Sequence, residues 1–268
     1  MNQELSLGFY HTFPLWIDEQ FEVQQFEFPK IEFSKFVPTT INQRLRLGHQ
    51  MECVFEQLIS SSGYWKTIAK NILVNEGATR VGELDFILEN TITEAIYHIE
   101  LVYKFYIVNP EIQNPTQRLI GPNNSDAFLT KLDKLRKKQF PLLYANALSH
   151  KLTKLGINIS EVKQQACFKA QLFMPYGDTP INIGPLNKNC IVGKWIRFNE
   201  FNTKAFKSSL YYIPIKKEWV IAPTGNRIYG THSKTLPEIE RSMLKERSPM
   251  LWMKKSGGTI EKLFVVWW

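Results

Sequence analysis

Two short segments, VGELDFIL at 81–88 and YHIELVYKFYIV at 97–108, concentrate the residues of this chain that can do chemistry. Each reads as a β-strand, in which successive side chains alternate between faces. Glu83 and Asp85 then share one face, opposite Leu84, Phe86 and Leu88. Likewise His98, Glu100, Val102 and Lys104 share a face opposite Ile99, Leu101, Tyr103 and Phe105. Paired as neighbours, the two strands bring Asp85, Glu100 and Lys104 into one cluster. Carboxylates placed side by side repel unless a cation neutralises them, and hard oxygen ligands suit Mg²⁺ or Mn²⁺. Such an ion bridges a phosphate oxygen and turns a bound water into hydroxide for in-line attack. A nearby lysine can orient that water or offset charge on phosphorus. The same alternation also fits an ordinary half-exposed meander, where cross-strand Glu and Lys pairs are common.

A second group lies further along the chain. The run from Asp126 to Gln139 reads as a helix with Phe128, Leu132 and Leu135 on one side. Lys131, Lys134 and Lys138 recur at i, i+3 and i+7, and Gln139 closes the run. This basic stripe fits the tracking of a phosphate backbone, and it also fits a solvated helix face. The five histidines are scattered without the paired spacing of a zinc site. His98 alone shares the face of Glu100, where a structural hydrogen bond suits it better than catalysis. Cys53, Cys167 and Cys190 are odd in number and far apart, which excludes a disulfide framework or a CxxC knuckle and fits a reducing cytoplasm.

The elements that must hold these groups follow from periodicity and punctuation. Asn42 as an N-cap, with Leu45, Met51, Phe55, Leu58 and Ile59 at helical spacing, predicts a helix over about 43–60, ended by Ser60-Ser61-Ser62-Gly63. Strands are expected at 68–74, 81–88 and 95–108, joined by Asn75-Glu76-Gly77-Ala78 and Glu89-Asn90-Thr91 as an antiparallel meander. Beyond the 126–139 helix, a helical pattern covers 144–155 and a strand 166–174. Helix, three-strand meander, helix and strand together make a core over 41–175. Residues 1–40 read as an N-terminal extension packed on that core, in which Phe21/Val23, Phe26/Phe28 and Ile31/Phe33, two apart, suggest extended chain. Residues 176–268 read as an aromatic-rich C-terminal extension or small subdomain. They hold strand-like GKWIRF, SLYYIPI, EWVIAP and LFVVWW, with one helix over 236–247.

With 268 residues, 44% of them hydrophobic and 22% charged, the chain can bury a core without staples and lies outside the disordered regime. No stretch reaches eighteen apolar residues, and MNQELSLGFYHTFPLW lacks a basic segment leading into an apolar one. Neither membrane spanning nor secretion is expected. Lys and Arg outnumber Asp and Glu by 33 to 25, a net charge of +8 that points to a polyanionic partner. The excess is spread over KLDKLRKKQ, IPIKKEW, KERS and KKSGGTIEK.

Over most of the chain, RLGHQMECVF, GELDFIL, HIELVYKFYI, IGPNNSDAFLTKLDKLRKKQ and VGKWIRF occur in an order that resembles a bacterial family of unknown function. That family is assigned to the PD-(D/E)XK, or restriction-endonuclease-like, nuclease superfamily; GELDF, ELVYKFYI and GPNNSD are specific when taken together. The resemblance implies an α/β restriction-endonuclease-like core, a mixed sheet flanked by helices. It also implies hydrolysis of phosphodiester bonds in DNA, less so in RNA, with Mg²⁺ or Mn²⁺. Asp85 and Glu100 match the two metal-binding carboxylates, and the main-chain carbonyl of Leu101 is the implied third ligand. Glu52 matches a helical glutamate, and Lys104 the motif lysine. Gln139 is similar to a helical glutamine that some exonucleases of the superfamily keep beside the metal, although Tyr144 falls one residue too far for their Q-x-x-x-Y. One departure stands out: Val102 takes the lysine position of E-x-K, and Lys104 lies two residues on, about 6–7 Å along the strand. The shift preserves the face, and a lysine is long enough to reach back. It also motivates a rival expectation, a catalytically impaired nuclease-fold module that binds nucleic acid or protein.

Overall fold

Hydrophobic periodicity resolves into an α/β fold, a large mixed β-sheet flanked by helices, in the computed structural model. It describes residues 2–177, 180–225 and 227–268. From the N-terminus, α1 (Asn2–His11) leads to a ribbon of β1 (Glu19–Gln20) and β2 (Val23–Gln24), and then to α2 (Leu47–Ser61). Three long strands come next, β3 (Trp65–Glu76), β4 (Thr79–Asn90) and β5 (Ile96–Val108), and then the short β6 (Leu119–Ile120). After them stand α3 (Phe128–Lys134), one turn of π-helix at Leu135–Gln139, a 3₁₀ stretch at Phe140–Tyr144, α4 (Asn146–Lys154) and β7 (Lys163–Pro175). The remainder holds β8 (Ile191–Arg197), α5 (Phe198–Phe201), α6 (Lys204–Lys207) and β9 (Leu210–Tyr212). It ends with β10 (Gly230–Thr231), α7 (His232–Met243), β11 (Met250–Lys254) and β12 (Ile260–Val266).

The chain divides into two compact units. The first takes the chain up to Tyr10, Pro14–Tyr103 and Thr130–Lys169; the second takes His11–Phe13, Lys104–Leu129 and Ala170–Trp268.

In the first unit, α2 buries Met51, Val54, Phe55, Leu58 and Ile59, the i, i+3, i+4 stripe that its sequence carries. Phe55 meets Phe86 of β4 with ring centroids 4.8 Å apart, and Phe26 and Phe28 complete an aromatic cluster around it. An aliphatic cluster, Val74, Leu84, Ile87, Leu143, Leu148 and Leu152, packs α4 and the 3₁₀ stretch against β3 and β4. Gly82 lets the Leu142 side chain lie close against β4, where a Cβ would push it aside. The β3–β4 turn closes on Gly77 at φ 60°, a left-handed conformation that glycine adopts without strain. The Asn90 side chain accepts the Ile92 and Thr93 N–H groups, both at 3.0 Å, and so forms the turn into β5.

In the second unit, β7 pairs in parallel with β8 and β8 with β12, whereas β12–β11, β11–β9 and β9–β10 are antiparallel. A core of Ile196, Phe201, Tyr211, Ile239, Leu251, Leu263 and Val265 holds α5 and α7 to these strands. A Cβ at Gly193 would lie 2.7 Å from the Lys262 carbonyl oxygen and the Phe173 ring, so β8 can pass between them only as glycine. The loop written GPNNSD is tied down by Ser248, whose Oγ donates to the Pro122 carbonyl at 2.6 Å and whose N–H reaches Asn123 Oδ1 at 2.9 Å. Trp268 Nε1 donates to the same carbonyl at 3.0 Å.

Several local expectations are corrected. Residues 2–11 form a helix that the sequence pattern does not announce: Leu5 and Phe9, one turn apart, carry the buried side of α1, and Gly8 obscures the pattern. Asn42 does not cap α2; its Oδ1 accepts the Arg44 N–H at 2.9 Å in a separate turn, and the helix starts after an extended Arg46. Around EWVIAP a 3₁₀ turn at Lys216–Glu218 replaces the strand, and MLWMK, not singled out from sequence, is β11. α7 begins at His232, one turn before Pro237, which sits inside the helix instead of opening it. Among the described residues, no helix is long and apolar enough to cross a membrane.

Candidate functional site

β4 and β5 pair with Phe86 opposite Ile99 and Ile87 opposite His98, a register that carries Asp85 toward Glu100 on the adjoining strand. The Leu101 N–H donates to Asp85 Oδ2 at 2.8 Å and fixes that carboxylate beside the next turn of the β5 pleat. Glu100 is fully buried. Its Oε1 lies 2.9 Å from His98 Nε2, and its Oε2 accepts from Gln139 Nε2. Lys131 Nζ in turn donates to Gln139 Oε1 at 2.8 Å. A π-turn adds a residue to a helical turn and so rotates the residues beyond it. The one at Leu135–Gln139 ends on the residue that meets Glu100.

The electrostatics are set by burial. Burial, with the Glu100 charge, pushes the Asp85 carboxyl up to about 7, against the Leu101 N–H and the Lys131 ammonium, which work the other way. Glu100 is likewise pushed up to about 7 by burial, against the pull of Lys131, the hydrogen bond with the Asp85 backbone, and Lys134. Burial pushes His98 down to about 4, so the imidazole is neutral at pH 7. Two carboxyls that each resist ionisation where they stand, with lysine charge nearby, are a place where added positive charge is favourable.

Of the residues picked out from sequence, Asp85, Glu100, Leu101, Lys131 and Gln139 come together, and Lys134 acts on Glu100 through its charge. Glu52, on α2, raises the Asp85 carboxyl through its own charge; its Oε2 accepts from Asn71 Nδ2 at 3.2 Å and its Oε1 lies 3.2 Å from His49 Nδ1. Lys138 is exposed. Lys104 belongs to the second unit, where its ammonium is paired with the Asp126 carboxylate. The lysine beside the carboxylates is therefore Lys131, a member of the basic stripe that fits either phosphate tracking or a solvated helix face.

Oxygen donors of this kind suit a hard divalent cation. Among the described residues no group of three or more His, Cys, Asp and Glu side chains is gathered to hold a metal ion. The side-chain share at Asp85 and Glu100 is thus two carboxylates, a number that Mg²⁺ commonly takes, completing its shell with water and phosphate oxygen.

The family model described as Domain of unknown function (DUF1853) matches residues 26–266. The chain belongs to that family. No curated protein and no solved structure matches it. The matched span takes in Glu52, Asp85, His98, Glu100, Lys131 and Gln139, so the whole cluster lies within the family's domain. Sequence reasoning missed two residues that the cluster uses. Gln164 Nε2 lies 3.0 Å from His98 Nδ1 and donates to the Phe140 carbonyl at 2.8 Å, and Asn71 tethers Glu52. Neither carries a signal in the sequence: Gln164 is one of two glutamines opening a strand, and Asn71 stands at φ 51° within β3.

Proposed function

We propose that the protein is a metal-dependent nuclease built on a restriction-endonuclease-like core, hydrolysing phosphodiester bonds in DNA, and less so in RNA, in the cytoplasm. The observation that carries this reading is the pairing of half-buried Asp85 with fully buried Glu100 from adjacent strands, both carboxyls raised and both within the influence of Lys131. A bound Mg²⁺ or Mn²⁺ would neutralise the scissile phosphate and lower the pKa of an attacking water. Asp85 and Glu100 hold the ion in this reading, with the Leu101 carbonyl as a further oxygen donor and Glu52 drawn in from α2. Gln139 and His98 orient Glu100, and Lys131 offsets charge on the phosphate in place of Lys104. Lys134 and Lys138 continue along the same helical run, where they suit the backbone of a nucleic acid.

The pairing of Lys104 with Asp126 favours a second reading, a nuclease-fold module that binds nucleic acid or protein without turnover. One experiment separates the two. Wild type, Asp85→Asn and Glu100→Gln are incubated with single-stranded, double-stranded and branched DNA and with RNA, in Mg²⁺, in Mn²⁺ and in EDTA. Cleavage by wild type that needs the metal and is lost in both variants supports the nuclease. Salt-dependent binding with no cleavage in any arm supports the binding module.

A further inference from the structure

The hydrogen bonds behind Glu100 have a direction that the chemistry of their partners fixes. A backbone carbonyl only accepts, so the Gln164 amide must turn its NH₂ toward the Phe140 oxygen at 2.8 Å. That same nitrogen lies 3.0 Å from His98 Nδ1, which receives the second amide hydrogen and is therefore an acceptor. A neutral imidazole that accepts at Nδ1 carries its proton on Nε2, and Nε2 lies 2.9 Å from Glu100 Oε1. The Phe140 ring packs edge-on against the imidazole at 5.8 Å and 80°, which holds the ring plane. His98 and Glu100 are both fully buried, so solvent offers neither a substitute partner. On the other side of Glu100 the same logic repeats. The Lys131 ammonium only donates, so Gln139 turns its oxygen to the lysine and its NH₂ to Glu100 Oε2.

We infer that His98 is a positioning residue for the Glu100 carboxylate, held by Gln164 in the Nε2–H tautomer so that its proton always points at Glu100. This rests on the proposed cation centre at Asp85 and Glu100. A neutral donor suits that task better than a lysine would, because it fixes the carboxylate without placing a positive charge against an incoming divalent cation. Partners of this kind behind a metal-binding carboxylate commonly contribute about tenfold to a hundredfold in metal affinity.

The full chain, labelled with ¹⁵N in the imidazole, gives the first readout: long-range ¹H–¹⁵N spectra of His98 are expected to show the Nε2–H tautomer. Gln164→Met is expected to turn that single form into a mixture. The second readout is Mn²⁺ binding, monitored by the EPR signal of the free ion. His98→Phe keeps the ring and removes the donor, and is expected to weaken binding about tenfold to a hundredfold. His98→Gln brings an amide nitrogen to the place of Nε2, and is expected to return to within about threefold of wild type. Should His98→Phe fail to fold, Gln164→Met carries the same test, with an expected weakening of about tenfold. An Nδ1–H tautomer in the wild type, Mn²⁺ binding by His98→Phe equal to wild type, or a glutamine variant no better than phenylalanine would each overturn the inference. If wild type binds no Mn²⁺, the cation centre itself falls, and the tautomer alone then decides whether Gln164 locks His98.

Discussion

Each unit of this protein buries charge, and the two do so in opposite ways. In the first unit, Asp85 and Glu100 place like charges on neighbouring strands. Their hydrogen-bond donors are mostly neutral, and both carboxyls rise to about 7. In the second, Lys262 stands with only 8% of its surface exposed; its ammonium donates to Gln171 Oε1 at 2.6 Å and the Trp219 carbonyl at 3.0 Å and lies 5.0 Å from the Trp252 ring centre. Burial lowers it to about 8. The lysine is one charge surrounded by fixed acceptors and an aromatic face, an arrangement complete in itself. The acid pair lacks a full share of opposite charge, which in the proposed reading a cation from outside would supply. Burial is the largest cause of all three shifts, and what sets the acid pair apart is the like charge of Glu100 beside Asp85.

The largest effect expected from breaking this contrast is on activity. Asp85→Asn or Glu100→Gln should lower metal-dependent DNA cleavage about a thousandfold or more, since the metal's contribution to a transition state amounts to several kcal/mol. Lys262→Met should leave cleavage unchanged. Stability should divide the other way. Lys262→Ala removes a long buried stem and strands the Gln171 and Trp219 oxygens, at a cost of about 3 kcal/mol in thermal or urea unfolding. Lys262→Met, which keeps the volume, should cost about half of that.

A smaller effect separates the two lysines. Lys131→Ala should reduce cleavage about tenfold by removing the ammonium that acts on both carboxylates, a little over 1 kcal/mol of transition-state energy. Lys104→Ala breaks an ion pair whose partners are about a third exposed, at 32% and 35%, and should change cleavage less than twofold and stability by about 0.5 kcal/mol.

The pH dependence of the metal-free protein offers the finest comparison. Asp85 and Glu100 rise from 3.8 and 4.5 to about 7. The folded state thus holds protons that the unfolded chain releases, and their share of stability is complete below about pH 4 and lost as pH climbs through 7. Lys262 falls from 10.5 to about 8, so its share is complete above 10.5 and lost as pH drops through 8. Melting curves should show one limb descending from acid to neutral pH, flattened by Asp85→Asn, and another rising into the alkaline range, flattened by Lys262→Met.

How much of this was legible in the sequence depended on how local each relation is. Strand alternation and short turns sufficed to bring Asp85 toward Glu100, because the register of a tight meander leaves few alternatives. The helical stripe of α2 was equally plain. The lysine was not: counting along β5 leads to Lys104, whereas the partner that claims it, Asp126, and the lysine that replaces it, Lys131, lie beyond a long loop. Gln139 stands out in the sequence through its resemblance to a helical glutamine of some exonucleases, but its contact with Glu100 depends on a π-turn that no periodicity announces. Gln164 and Asn71 act through side-chain hydrogen bonds to residues far along the chain, and helix α1 hides behind a glycine and only two buried apolar residues.

The central claim is that Asp85 and Glu100 make one site for a divalent cation, and titration of Mn²⁺ into the full chain at pH 8, monitored by the EPR of the free ion, tests it most directly. The account predicts one saturable site in wild type and in Lys262→Met, lost in both Asp85→Asn and Glu100→Gln. Binding that survives both substitutions, or no binding by the wild type, would contradict it.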